Sequence, residues 1–223
     1  MSVSTATESE VFSHKQLNQL AKIVGLDNVE GVLAGTLIVE LKPVKRWHEE
    51  GGVIYFHETF MSDGTTGPDW IKRQEKKGRR VGSYAKSVLL SKRDPKNPEK
   101  PYFSPTTGVI YPPVAIRGTF WKKDSERLTR NIRVEADKRG WLKAHAELAC
   151  LLREAFSDEE LEEMGLWYLV AMHDPIEDSD GDPSLLNAYR SDGGRWLHAF
   201  FDRPDGKWYD RGAFVFVLPQ VSS

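Results

Sequence analysis

At 223 residues, 39% hydrophobic and 29% charged, the chain has the composition of a folded protein with a sizeable core rather than of a disordered segment. A formal net charge of −2 excludes a wholly basic nucleic-acid binder, and a single cysteine, Cys150, excludes an internal disulfide. No apolar run approaches the roughly 20 residues that span a bilayer, and the opening MSVSTATESEVF lacks the basic start and apolar core of a signal peptide, so no membrane and a cytoplasmic location are expected.

In chain order, residues 1–11 read as a polar tail and 12–221 as a single α+β domain. Ser13 and Gln16 form a capping box for a first helix that Gly25 ends, and Asp27 with Glu30 opens a short second one that stops near Gly35. Thr36–Leu41 reads as a strand closed by Pro43, with helix as the alternative because period alone does not assign so short an apolar run. Gly52–Phe60 is a further strand, and Ser62–Gly67 is a turn. Pro68 starts a helix that runs to Gly78, and another follows from Ser83 to about Ser91. Residues 92–108, with Pro95, Pro98, Pro101 and Pro105, are an exposed loop or sub-boundary.

Val109–Trp121 resumes strand character, with Pro112-Pro113 implying an edge or a kink. Helices are expected over about 125–139, 143–155 and 158–164, the last marked by the Ser157–Glu160 capping box and by Gly165. Leu166–Met172, Arg195–Phe201 and Trp208–Leu218 are C-terminal strands, with Arg203-Pro204-Asp205-Gly206 as the turn of a β-hairpin. Grouped strands with helices between them give an α+β class. Helical N-terminal and central segments would pack on a mainly antiparallel sheet that ends in this hairpin.

The most unusual stretch is 173–182, with five carboxylates in the nine residues Asp174–Asp182. Asp178, Asp180 and Asp182 occupy the first, third and fifth places of a calcium loop. Pro183 stands where the loop needs Gly, however, and Tyr189 where it needs a bidentate Glu. Two readings are open: a solvated loop whose Asp178 or Asp180 pairs with Arg190 or Arg195, or a loose, weak Ca²⁺ or Mg²⁺ site. The second would make the protein a metal-dependent hydrolase with these three ligands and His173 as general base. His145-Ala146-Glu147 matches the ligand–acid pair of zinc nucleobase deaminases, but no cysteine follows Cys150, so a half-buried structural histidine is expected. Cys150, within Leu148–Leu152, is expected in the core.

Ile71–Lys100 carries eleven basic residues against three acidic ones, and Glu147–Asp182 carries twelve acids against the single base Arg153. The basic run, extended by the 127–139 helix, suggests a surface for nucleic acid or another polyanion through Lys72, Lys76, Lys77, Arg79, Arg80 and Arg130. Alternatively, the two runs neutralise each other. Among the aromatics, Trp196, Phe200, Phe201, Trp208, Tyr209, Phe214 and Phe216 form either a stacking platform or a core face, and alternation assigns about half to the core. The leading expectation is a non-enzymatic binding module with a nucleic-acid or protein partner, and with no cofactor beyond weak Ca²⁺ or Mg²⁺.

Asp63-Gly64-Thr65-Thr66-Gly67-Pro68-Asp69-Trp70-Ile71, Tyr84-Ala85-Lys86, Asp178–Pro183 and Gly193–Leu197 together resemble an uncharacterised protein family of candidate-phyla bacteria. The resemblance covers most of residues 60–221. It implies a bacterial cytosolic origin, and the family carries no assigned activity.

Overall fold

Short apolar runs without helical spacing pair into one sheet, and amphipathic segments cover its two faces. The computed structural model describes residues 45–220 other than Asp192, together with Lys22. The chain divides into two compact units, Met1–Val44 and Lys45–Ser223, and the strands and helices named below all belong to the second. The elements expected at 13–25, 27–35 and 36–41 lie outside the described residues.

The strands are β1 (Trp47–Glu50), β2 (Val53–Phe56), β3 (Phe60–Asp63), β4 (Arg80–Val81), β5 (Thr107–Tyr111), β6 (Pro113–Arg117), β7 (Tyr168–Ala171), β8 (Ile176–Glu177), β9 (Pro183–Ser191), β10 (Gly194–Phe201) and β11 (Gly212–Val217). The helices are α1 (Gly67–Lys76), α2 (Ser83–Leu89), α3 (Thr129–Lys138), α4 (Glu147–Ala155) and α5 (Asp158–Glu163). Nine strands form one sheet in the order β1-β2-β6-β11-β7-β9-β10-β4, with β8 added to β9, while β3 and β5 pair separately. Pairing is antiparallel except for β11 with β7 and β10 with β4. The class is α+β.

Period-two alternation sends each strand's side chains to two cores. On one face Ile54, Leu169, Leu186, Leu197 and Val215 meet Trp70 of α1, Val88 of α2, Leu148 and Leu152 of α4 and Leu161 of α5. On the other, Val114, Val170, Leu185, Phe214 and Phe216 meet Ile132 and Ala136 of α3 together with Trp121 and Trp208. Each fully buried Leu, Ile or Phe contributes roughly 1.5–3 kcal/mol. Strand β11 is buried along its whole length and feeds both cores. The α5 capping box forms as expected, the Ser157 hydroxyl accepting from the Glu160 N–H at 3.2 Å while Glu160 accepts from the Ser157 N–H at 2.9 Å.

One feature differs from expectation, and two open alternatives are resolved. The C-terminal strands β10 and β11 are not a hairpin, because β9 and β7 lie between them. Since β10 is antiparallel to β9, β9 to β7, and β7 parallel to β11, β10 and β11 run in the same direction, which a tight turn cannot connect. The hairpin is formed instead by β9 and β10 in full register, from Gly194↔Ser191 to Phe201↔Ser184. Pro112 ends β5 and sends the chain into β6, an interior strand between β2 and β11, so the Pro pair makes a kink rather than an edge. Residues 92–106 hold no regular strand or helix and lie inside the second unit.

Gly67 opens α1 against the end of α2, where an added Cβ would overlap the Leu89 carbonyl oxygen. Gly67→Ala must therefore force two helices apart, and we expect a loss of about 2–3 kcal/mol in urea unfolding. A midpoint unchanged within error would contradict this close approach.

Candidate functional site

The second face of the sheet is not covered evenly. Over β6, β11 and β7 its residues are buried beneath α3 and Trp208, but on β10 the residues Trp196, His198 and Phe200 are only half-buried, as is Tyr189 on β9. Register makes these side chains one field. Trp196 lies opposite Tyr189, Tyr189 opposite Tyr168, and Arg80 of β4 opposite Trp196. The rings pack edge to face or tilted, with centroids 5.3 Å apart for Tyr168 and Phe200, 6.0 Å for Tyr189 and Phe200 and 5.2 Å for His198 and Phe200.

Guanidinium groups rim this field. Arg80 lies 5.3 Å from the Trp196 ring centroid, and Trp167, just before β7, has Arg190 at 5.1 Å and Arg211 at 6.0 Å. Such contacts hold a cation against a ring, and they leave the charge of Arg80 and Arg211 available, while Arg190 also faces Glu162 at 3.6 Å. The 202–211 segment crosses over the face, carrying Trp208 down into the core and leaving Tyr209 79% exposed. On its two sides are cavities of about 260 Å³ and 420 Å³, both walled by Tyr168, Phe200 and Tyr209. Burial pushes the Tyr168 hydroxyl up to about 12 and lowers His198, so both groups are neutral near pH 7.

The residues expected to hold a polyanion do not form one surface. Lys72, Lys76 and Lys77 lie on or beside α1, against the first core, whereas Arg130 is on α3 over the second. Several are engaged: Lys72 with Asp69 at 3.3 Å, Lys77 with Glu154 at 3.1 Å, and Arg130 with Asp205. Glu154 also takes Arg73, and its backbone carbonyl accepts from Arg79 at 3.2 Å. Of the six, only Arg80 stands beside the aromatic field. The basic and acidic runs thus meet largely across α1 and α4, which sequence distance conceals.

The acidic loop is organised around one of its own carboxylates. Asp178 is buried, accepting from the N–H groups of Asp180 and Asp182 at 3.0 and 3.2 Å and from the Ser184 hydroxyl at 2.9 Å. Asp180 accepts from the Tyr84 hydroxyl at 2.9 Å, and Asp182 faces Arg203 at 3.7 Å. The three carboxylates therefore diverge, and no cluster of three or more His, Cys, Asp or Glu groups suited to a metal occurs among the described residues. The expected partners Arg190 and Arg195 turn instead to Glu162 and Glu159.

His173 is unsuited to general-base work in this arrangement. It is buried, its Nδ1 donates to the Asp174 carbonyl at 2.6 Å and its Nε2 accepts from the Leu186 N–H at 2.9 Å. Cys150 is fully buried, which raises its thiol well above the ordinary value, as expected of a core cysteine.

His145 is partly exposed and lines clefts of about 340 and 790 Å³. Its neighbour Glu147 is buried and bonded by the hydroxyls of Tyr111, at 2.6 Å, and Thr106, which tie β5 to α4. In the larger cleft Lys143 and Asp174 pair at 2.5 Å, so this bigger space offers less uncommitted chemistry than the aromatic face.

Of the seven aromatics considered for stacking, Trp208, Phe214 and Phe216 are core, and Trp196, Phe200, Phe201 and Tyr209 are half-buried or exposed. Tyr189, Trp167, Arg190 and Arg211 also belong to the face. Tyr189 stands two positions from Asn187 and four from Leu185 on what proves to be a strand, which is the local signal for it. Compared with known proteins, the chain matches no family model, no curated protein and no solved structure. No helix among the described residues is long and apolar enough to cross a membrane.

Burial holds His173 down at about 4, against an ordinary value of about 6.5. Between those values the unfolded chain binds a proton that the folded one does not. Its contribution to stability is therefore complete above pH 6.5 and is lost as pH falls toward 4, on the order of 3 kcal/mol in all. The His173 ring resonances should titrate near pH 4 in an NMR series, and a midpoint near 6.5 would contradict the buried, doubly bonded state.

Proposed function

We propose that the protein is a non-enzymatic binding module that takes single-stranded nucleic acid on the half-open face of β9, β10 and β4. The observation that carries this reading is the pairing of aromatic rings with guanidinium groups at Arg80–Trp196 and at Trp167–Arg211, with Arg190 also against Trp167 but facing Glu162 at 3.6 Å. Unstacked bases gain from ring faces, and a phosphate backbone gains from cations at their rim. A duplex keeps its bases stacked inside and uses only the cations, so single strands are the better fit. The basic run on and beside α1 is largely committed to Glu154 and Asp69, and Lys86 of α2 to Glu75, so it contributes less than its charge count suggests.

Fluorescence anisotropy with labelled single-stranded and duplex oligonucleotides at low salt tests this. Single strands should bind more tightly, with a log–log salt slope of roughly −1 to −2 for two or three arginine–phosphate contacts. Trp196→Ala should weaken binding roughly 5- to 150-fold, the range of one lost stacking contact. Replacing Lys72, Lys76 and Lys77 together by Gln should change affinity by less than the Trp196 change. Absence of binding, binding indifferent to salt, or a larger loss from the lysine triple would overturn the proposal.

A further inference from the structure

Asn187 stands at the centre of the aromatic field. Across the strands it is opposite Val170 of β7 and His198 of β10, and along β9 it shares its face with Leu185 and Tyr189. Its side chain is fully buried, yet neither its amide oxygen nor its amide nitrogen has a hydrogen-bond partner among the described residues. Nδ1 of His198, its neighbour on β10, is buried without a partner as well. Unpaired buried amides are rare because they lose water and gain nothing in return. A leucine would fill this place in the sheet at no such cost.

We infer that Asn187, with His198 beside it, is the hydrogen-bonding floor of a site for a planar heteroaromatic ring, and that the ring is adenine. The inference rests on the single-strand stacking reading of this face. An asparagine amide offers one donor and one acceptor side by side, which match the N7 acceptor and N6 donor of adenine. The rings of Tyr189, next on its face of β9, and of Phe200, two residues beyond His198 on β10, meet 6.0 Å apart at 83° and wall the 420 Å³ cavity, which Asn187 itself does not line. In the free protein Asn187 is fully buried. Entry of a base requires one ring to rotate, and the base then replaces its packing.

The test measures affinity of the full chain for oligodeoxyadenylate, oligodeoxythymidylate and an oligomer of 7-deazaadenine, which lacks the N7 acceptor. The adenine strand should bind roughly 5- to 150-fold more tightly than the other two, the range of one bidentate contact. Asn187→Leu should abolish that preference, leave the thymidine affinity largely unchanged, and raise the melting temperature of the free protein. The deaza comparison uses the wild-type chain, so it stands even if the variant fails to fold. If strands bind without preference for adenine, or if Asn187→Leu keeps the preference, the inference fails while the stacking reading survives. A lowered melting temperature with binding unchanged would mark Asn187 as a structural amide satisfied by buried water, which also overturns it. If no strand binds, both fail.

Discussion

The insertion of β11 between β6 and β7 is the constraint on which the rest of the structure depends. It is the only strand that joins the β1-β2-β6 half of the sheet to the β7-β9-β10-β4 half among the described residues. All six of its residues are buried, and at Gly212 an added Cβ would overlap the Tyr168 ring. To reach that slot from β10, the chain must pass over β9 and β7 in the direction a hairpin cannot supply. The crossing segment 202–211 lies on the second face, with Trp208 anchored by its indole N–H donating to the Thr129 hydroxyl at 2.9 Å. The cavities beside Tyr209 result from this path: they are the space between a crossing strap and a sheet that it covers only in part.

Electrostatics divide the molecule differently from the sequence. The carboxylate of Glu154 draws in Arg73 and Lys77, and Arg153 is fully buried with its Nη2 donating to the Phe156 carbonyl at 2.6 Å and its Nη1 facing Asp158 at 2.9 Å. Such burial is tolerated only because the charge is paired and bonded. These contacts join the basic α1 region to the acidic α4–α5 region, so much of what looks like two opposed surfaces is internal. On the aromatic face Arg80 and Arg211 are held differently, against rings, where stacking fixes them without cancelling their charge, whereas Arg190 meets Trp167 and also faces Glu162 at 3.6 Å.

What could be read locally from the sequence was the set of elements whose signals are contained in a few residues. The Ser157–Glu160 box, Pro68 at the start of α1, the apolar runs of β2, β7 and β11, and the inert Cys150 all belong to this group. Strand β9 escaped because Pro183 and the preceding carboxylates mark a loop, although Leu185, Asn187 and Tyr189 then alternate with Leu186 and Ala188. β4 is two residues long and exists only through its pairing with β10. The aromatic field was partly legible as alternation in Arg195–Phe201. Its arginines come from β4, β9 and the crossing segment, and nothing local links them. The three aspartates of the acidic loop gave the opposite lesson, since their calcium-loop spacing suggested convergence while Asp178 turned inward to bond its own backbone.

The most direct test of the central claim is an amide chemical-shift map of the protein titrated with a short unlabelled single-stranded oligonucleotide. Perturbations centred on Arg80, Tyr189, Trp196 and His198 are the predicted result. Perturbations confined to α1 and the 92–100 segment, or none at all, would contradict the assignment of function to the half-open sheet face.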